Sequence, residues 1–138
     1  MKTKITFLVL ILSIFPRAHA ACRNYDLLAR QANLVSINLE SLHFETEQAF
    51  PHSWNFLDQI QKAEMDAAFL FRVTRSGAMP CWQTKSNYSN LQQSTEILRR
   101  YFQQFSRRRD IRIIENDWRR FIDSFKRLES LMQNAREE

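Results

Sequence analysis

Chemistry needs reactive side chains that converge, so those come first. Two histidines, His43 and His52, stand nine positions apart on either side of Ala49-Phe50-Pro51. An imidazole can serve as a general base or a zinc ligand. No His/Cys/Asp spacing in this chain resembles a zinc site, however. Glu45 and Glu47 are the nearest approach to a paired-carboxylate centre. Two positions apart on a helix they point to different faces, which suits solvated surface better than an acid–base dyad. One glycine, Gly77, cannot build a loop that cradles phosphate. With no nucleophile–base pair and no metal or cofactor constellation, the expectation is a protein that is not an enzyme and uses no cofactor.

The two cysteines depend on compartment. Lys2 and Lys4 precede a nearly all-apolar run, Ile5 to Phe15, closed by Pro16 and then Ala18-His19-Ala20. That order is the signature of a secretory signal peptide cleaved after Ala20. The apolar run is too short for a bilayer span, which needs about 20 residues. The expectation is a signal peptide over 1–20, a single domain over 21–138, and a secreted, extracellular chain with no membrane insertion after cleavage. Lys2, Lys4 and Arg17 leave with the signal, so 17 basic residues face 15 acidic ones and the net charge falls from +5 to +2. Cys22 and Cys81 both remain. In an oxidising compartment an even pair reads as one disulfide. It would close a loop of about 60 residues, worth about 4 kcal/mol in the chain-entropy account.

Two further patterns bear on surface chemistry. Asn87-Tyr88-Ser89 is an N-glycosylation sequon beside the segment holding Pro80 and Cys81, which makes Asn87 a candidate glycosylation site. Arg107-Arg108-Arg109 could bind an anionic polymer. A net charge of +2 favours the plainer reading, a solvated turn whose cations sit at a helix C-terminus where the dipole prefers them. No nucleic-acid partner is expected.

These residues must be positioned by helices. Glycine and proline are scarce, which argues against a sheet with many turns. Tyr25, Leu28, Ala32, Val35, Leu39 and Leu42 recur at steps of three and four, one face of a helix. Phe56, Ile60, Ala63, Ala67 and Leu70 mark a second. Leu91, Leu98, Phe102 and Phe105 mark a third. Ile111, Ile114, Trp118, Phe121, Phe125, Leu128 and Met132 mark a fourth. Phe50 to Ser53 divides the first two, with Ser53 as a cap, and residues 74–87 form the main loop. Ser89 with Gln92 suggests a capping box for the third helix, and Asp110 a cap for the fourth. The link at 107–110 makes helices three and four antiparallel neighbours. The fold class is therefore all-α: an antiparallel four-helix bundle with one disulfide and Trp118 in its core.

Four stretches also resemble type I interferons. They are Ala49-Phe50-Pro51 followed by Gln59-Ile60-Gln61-Lys62-Ala63-Glu64; the run Leu98-Arg99-Arg100-Tyr101-Phe102-Gln103; Asn116-Asp117-Trp118 opening the last helix; and Cys22 with Cys81, similar to that family's first disulfide pair. They fall in family order and cover 22–65 and 81–138. The resemblance implies a monomeric cytokine that binds cell-surface type I interferon receptor chains and triggers antiviral JAK-STAT signalling. In that family one receptor chain meets helix one, its following loop and the last helix, and the middle helices serve the other. Carried onto this chain, the first face falls on Ile122, Asp123, Lys126, Arg127 and Ser130. The helical wheel independently turns Arg119, Asp123, Lys126, Arg127 and Ser130 outward. The chain departs from the family between Asp66 and Pro80, where it is short by about one middle helix, and it lacks the second cysteine pair. A shortened member could act as a decoy. Two further readings stay open: another helical cytokine, similar to interleukin-10, and a cationic secreted peptide that binds heparin or membranes.

Overall fold

The computed structural model describes residues 20–136. They form four helices: α1 (Tyr25–Ala49), α2 (Trp54–Thr74), α3 (Cys81–Arg108) and α4 (Arg112–Gln133). Among the described residues there is no strand. The signal segment expected over 1–20 lies outside the described residues, apart from Ala20.

Links of a few residues, at 50–53, 75–80 and 109–111, make each helix return beside its predecessor. The cross-helix bonds agree. Two amide side chains of α1 and that of its N-cap residue, Asn24, donate to backbone carbonyls of α4: Asn24 to Leu131 at 3.3 Å, Gln31 to Ser124 at 2.8 Å and Asn38 to Arg120 at 3.2 Å. The acceptor numbers fall as the donor numbers rise, so the two helices are antiparallel. The donors are spaced by seven, two turns of helix, and so share one edge of α1. On the other side, Gln59 of α2 donates to the Ser94 carbonyl of α3 at 3.1 Å.

The apolar stripes converge on one core. Leu28, Ala32, Val35, Leu39 and Leu42 of α1 are buried, as are Phe56, Ile60, Ala63, Ala67 and Leu70 of α2 and Ile114, Phe121, Phe125, Leu128 and Met132 of α4. Small side chains at Ala32, Ala63 and Ala67 allow close approach of α1 and α2. The α3 and α4 backbones stand farther apart, and rings span the gap. Trp118 stacks on Phe102 with centroids 3.9 Å apart, and Tyr88 stacks on Phe125 at 6.1 Å. The two helices are thus antiparallel neighbours joined by side chains more than by backbone proximity. Trp118 is half-buried at this seam rather than sealed in the core. Phe105 lies edge-on to Phe50 at 4.9 Å and Phe56 at 4.7 Å, closing one end of the bundle.

The helix boundaries correct four expectations. The capping box at Ser89 and Gln92 does not form, because α3 already begins at Cys81. Pro80 supplies a fixed φ that suits a helix start, and its carbonyl accepts from Gln83 and Thr84 at 3.0 Å. The main loop therefore shrinks from 74–87 to 75–80. Ser53 does occupy the cap position of α2, but its hydroxyl donates back to the Phe50 carbonyl at 2.7 Å and makes no capping bond to the first-turn N–H groups. Asp110 is not the cap of α4: Ile111 holds that position, and from one residue ahead the Asp110 carboxylate accepts from the Arg112 backbone N–H at 3.2 Å.

Candidate functional site

The disulfide is the first element of the site. Cys22 and Cys81 are bonded, with Cα atoms 4.4 Å apart, and both are buried. The backbone reinforces the staple. The Arg23 N–H donates to the Arg136 carbonyl at 2.6 Å, and the Cys81 N–H donates to the Ala20 carbonyl at 2.9 Å, a bond that cleavage after Ala20 would remove. The segment before α1 is thereby held between the start of α3 and the end of α4.

The outer surface of α4 is the second element. Arg119, Asp123, Lys126, Arg127 and Ser130 are exposed on one arc of the helix. Ile122 lies at the edge of that arc, half-buried and packed against the core. Arg119 is not a free cation: Glu115, one turn earlier, accepts from its guanidinium at 2.7 Å. Both partners are well exposed, so the pair contributes a few tenths of a kcal/mol at most, roughly. No carboxylate or guanidinium among the described residues lies within ion-pair distance of Asp123, Lys126 or Arg127. They stand as an open, mixed-charge surface.

Asn87 lies elsewhere than its sequence context implies. It sits inside α3, not beside a loop, and its side-chain nitrogen is buried with no hydrogen-bond partner among the described residues. A glycan would occupy that nitrogen. A chain carrying one must pack this turn of α3 differently, because a sugar cannot share the space.

Glu45 and Glu47, read from sequence as solvated surface, lie on α1 with Glu45 half-buried and Glu47 exposed. Glu47 lies 3.8 Å from the His43 imidazole, one helical turn away, and both are accessible. Glu64 of α2 faces the same region. Burial pushes its carboxyl up from the ordinary value; nearby His43 opposes this and Glu40 adds to it. At the other link, the Arg112 guanidinium holds the Asp110 carboxyl down to about 2 through hydrogen bonds to its side chain. No group of three or more potential metal ligands occurs among the described residues.

Sequence reasoning missed the exposed apolar side chains. Leu34, Ile37 and Phe44 on α1, Trp54, Met65 and Phe69 on α2, and Trp82 and Ile97 on α3 all stand in solvent. Phe44 is 59% exposed and Trp54 66%. Their signal was register. Ile37 follows Val35 by two and Met65 follows Ala63 by two, a spacing that turns a helical residue away from the stripe. Exposed apolar residues taken singly are ordinary on a protein surface.

No protein family, curated protein or solved structure matches this chain in sequence or fold.

Proposed function

We propose that the chain is a secreted helical cytokine resembling type I interferon, acting by association with two cell-surface receptor chains to trigger antiviral JAK-STAT signalling. The observation that carries this reading is the side-by-side packing of α1 and α4. By resemblance, these two helices serve one receptor chain, and here they lie side by side with Asp123, Lys126 and Arg127 exposed on the outer arc of α4. The exposed apolar side chains of α2 and α3 support a second surface, on the helices that by resemblance serve the other chain. The bundle joins α2 to α3 through only residues 75–80, so that second surface is built from two helices without an intervening one. A smaller second surface favours weak recruitment of the signalling chain, and hence weak agonism or decoy behaviour.

The test is cellular. Receptor-bearing cells treated with the oxidised protein are assayed for phosphorylation of the downstream transcription factors, alone and against an intact interferon. Phosphorylation identifies an agonist, and competition without phosphorylation identifies a decoy. Neither response would remove the reading. The paired change Lys126→Glu with Arg127→Glu is expected to weaken either response by about tenfold or more if these residues are binding hot spots, since such positions contribute 2 kcal/mol or more by truncation. Its melting temperature should not change, because both side chains are exposed.

A further inference from the structure

The arginine cluster does not sit on a bare turn. Arg108 and Arg109, at the end of α3, form one wall of an open cavity of about 340 Å³ between α3 and the start of α2. That volume is at the lower end of ligand sites, about 300 to 1,000 Å³. Trp54 and Asn55 of α2 line the opposite wall, and Tyr101 and Gln104 of α3 line the flank.

Four properties of this cavity bear on what it binds. First, its cations are uncommitted: no carboxylate among the described residues lies within 4.0 Å of Arg108 or Arg109. The acid next in sequence, Asp110, is held by Arg112 at 2.6 Å instead. Second, no acidic side chain lines the cavity. Third, Arg109 is oriented: its guanidinium carbon lies 4.7 Å from the centroid of the Phe105 ring, a cation–π contact that reduces the freedom lost on binding. Fourth, the wall facing the arginines holds Trp54, a large apolar ring that folding leaves 66% exposed. The Asn55 and Gln104 amides add neutral donors and acceptors between them.

We propose that this cavity binds a sulfated saccharide segment of a glycosaminoglycan chain. The combination fits that chemistry in each part. Guanidiniums give paired, directional hydrogen bonds to sulfate oxygens. The exposed indole face takes the apolar face of a sugar ring. The two amides match hydroxyl groups. A single-stranded nucleic acid shares the anionic character and could stack a base on the indole; the neutral amides of Asn55 and Gln104 favour a hydroxyl-rich sugar, and the oligonucleotide is the competing outcome of the test. The site lies on the α2–α3 side of the bundle, away from the outer arc of α4. A bound glycan would therefore hold the chain at a cell surface while leaving Asp123, Lys126 and Arg127 open.

Direct binding tests the proposal without any receptor. The oxidised full chain is titrated with a size-defined heparin oligosaccharide, with the same oligosaccharide after desulfation, with inorganic sulfate, and with a single-stranded oligonucleotide of matched charge. Tight binding is expected for the sulfated oligosaccharide only. Arg108→Gln with Arg109→Gln should weaken it by about tenfold or more, the equivalent of one or two lost charge-assisted contacts, and should flatten its salt dependence. Trp54→Ala should weaken it several-fold with the salt dependence unchanged, a result that general charge attraction would not produce. If binding is also followed by tryptophan fluorescence, the ligand-induced change should vanish in Trp54→Phe although Trp82 and Trp118 still emit. Arg72→Gln with Arg75→Gln, at the far end of α2, serves as the charge-matched control. Equal losses in the two arginine pairs would overturn the site. So would an unaffected Trp54→Ala variant, or oligonucleotide or desulfated chains binding as tightly as heparin. Circular dichroism of each variant separates lost binding from lost fold.

Discussion

Gly77 has φ of +70°, a backbone conformation that disfavours any residue with a Cβ. It also meets a neighbour: a Cβ added there would stand 2.7 Å from the Tyr25 ring. Gly77→Ala is therefore expected to destabilise the fold by about 1–3 kcal/mol, seen as a lower Tm. Combining it with Tyr25→Ala should give less than the sum of the two losses, because the pair shares one clash. Tyr88 supplies a pH signature. Burial among apolar groups, with Glu129 adding to it and Arg99 opposing it, pushes its phenol up to about 12. The unfolded chain releases that proton near 10. Between those values the folded state holds a proton that the unfolded state has lost, so stability falls as pH rises from about 10 to about 12. Tyr88→Phe should remove this component of alkaline unfolding, measured as Tm against pH. It should also not destabilise the protein at neutral pH, because the Tyr88 hydroxyl is buried without a hydrogen-bond partner among the described residues.

At the scale of elements, two joints hold the bundle by different means. The α3–α4 seam depends on rings that reach across a wide backbone gap. Trp118→Ala should cost about 3 kcal/mol, the lower end for a large aromatic, because the ring is only half-buried. It should also free Phe102, its stacking partner, which a loss of near-ultraviolet dichroism would report. The other joint is covalent. Cys22 and Cys81 are 59 positions apart, and a loop of that length gives about 4 kcal/mol by restricting the unfolded chain. Cys81→Ser should lower Tm substantially, and reduction of the native protein should lower it by a similar amount. An unchanged Tm in both would mean that the staple adds nothing. The start of α3 explains why this element was mislocated from sequence. Pro80 and Cys81 have the composition of a loop, yet proline is well suited to open a helix, and the disulfide holds Cys81 at its first turn.

At the scale of the whole molecule, the proposed function rests on which faces remain open. Charge reversal at Lys126 and Arg127 should weaken only the proposed receptor responses, while neutralising Arg108 and Arg109 should weaken only the proposed glycan binding. The two effects can be separated in one set of variants because the faces lie on different sides of the bundle. Much of this architecture was legible in the chain itself. The steps of three and four in α1, α2 and α4 predicted the buried residues closely, since helical period is a local property and each stripe must find cover. The outward arc of α4 followed from the same arithmetic. The cysteine pairing followed from parity, there being only two. Those properties are one-dimensional and needed no partner. Only the tertiary structure decided the rest. It set α1 and α4 in close contact, opened the α3–α4 seam to the width of its rings, and buried the Asn87 nitrogen inside a helix. It also brought Arg108 and Arg109 opposite Trp54, more than fifty positions earlier in the chain. Each of these depends on how side-chain volumes fill the space between helices distant in sequence, and no local pattern encodes that distance.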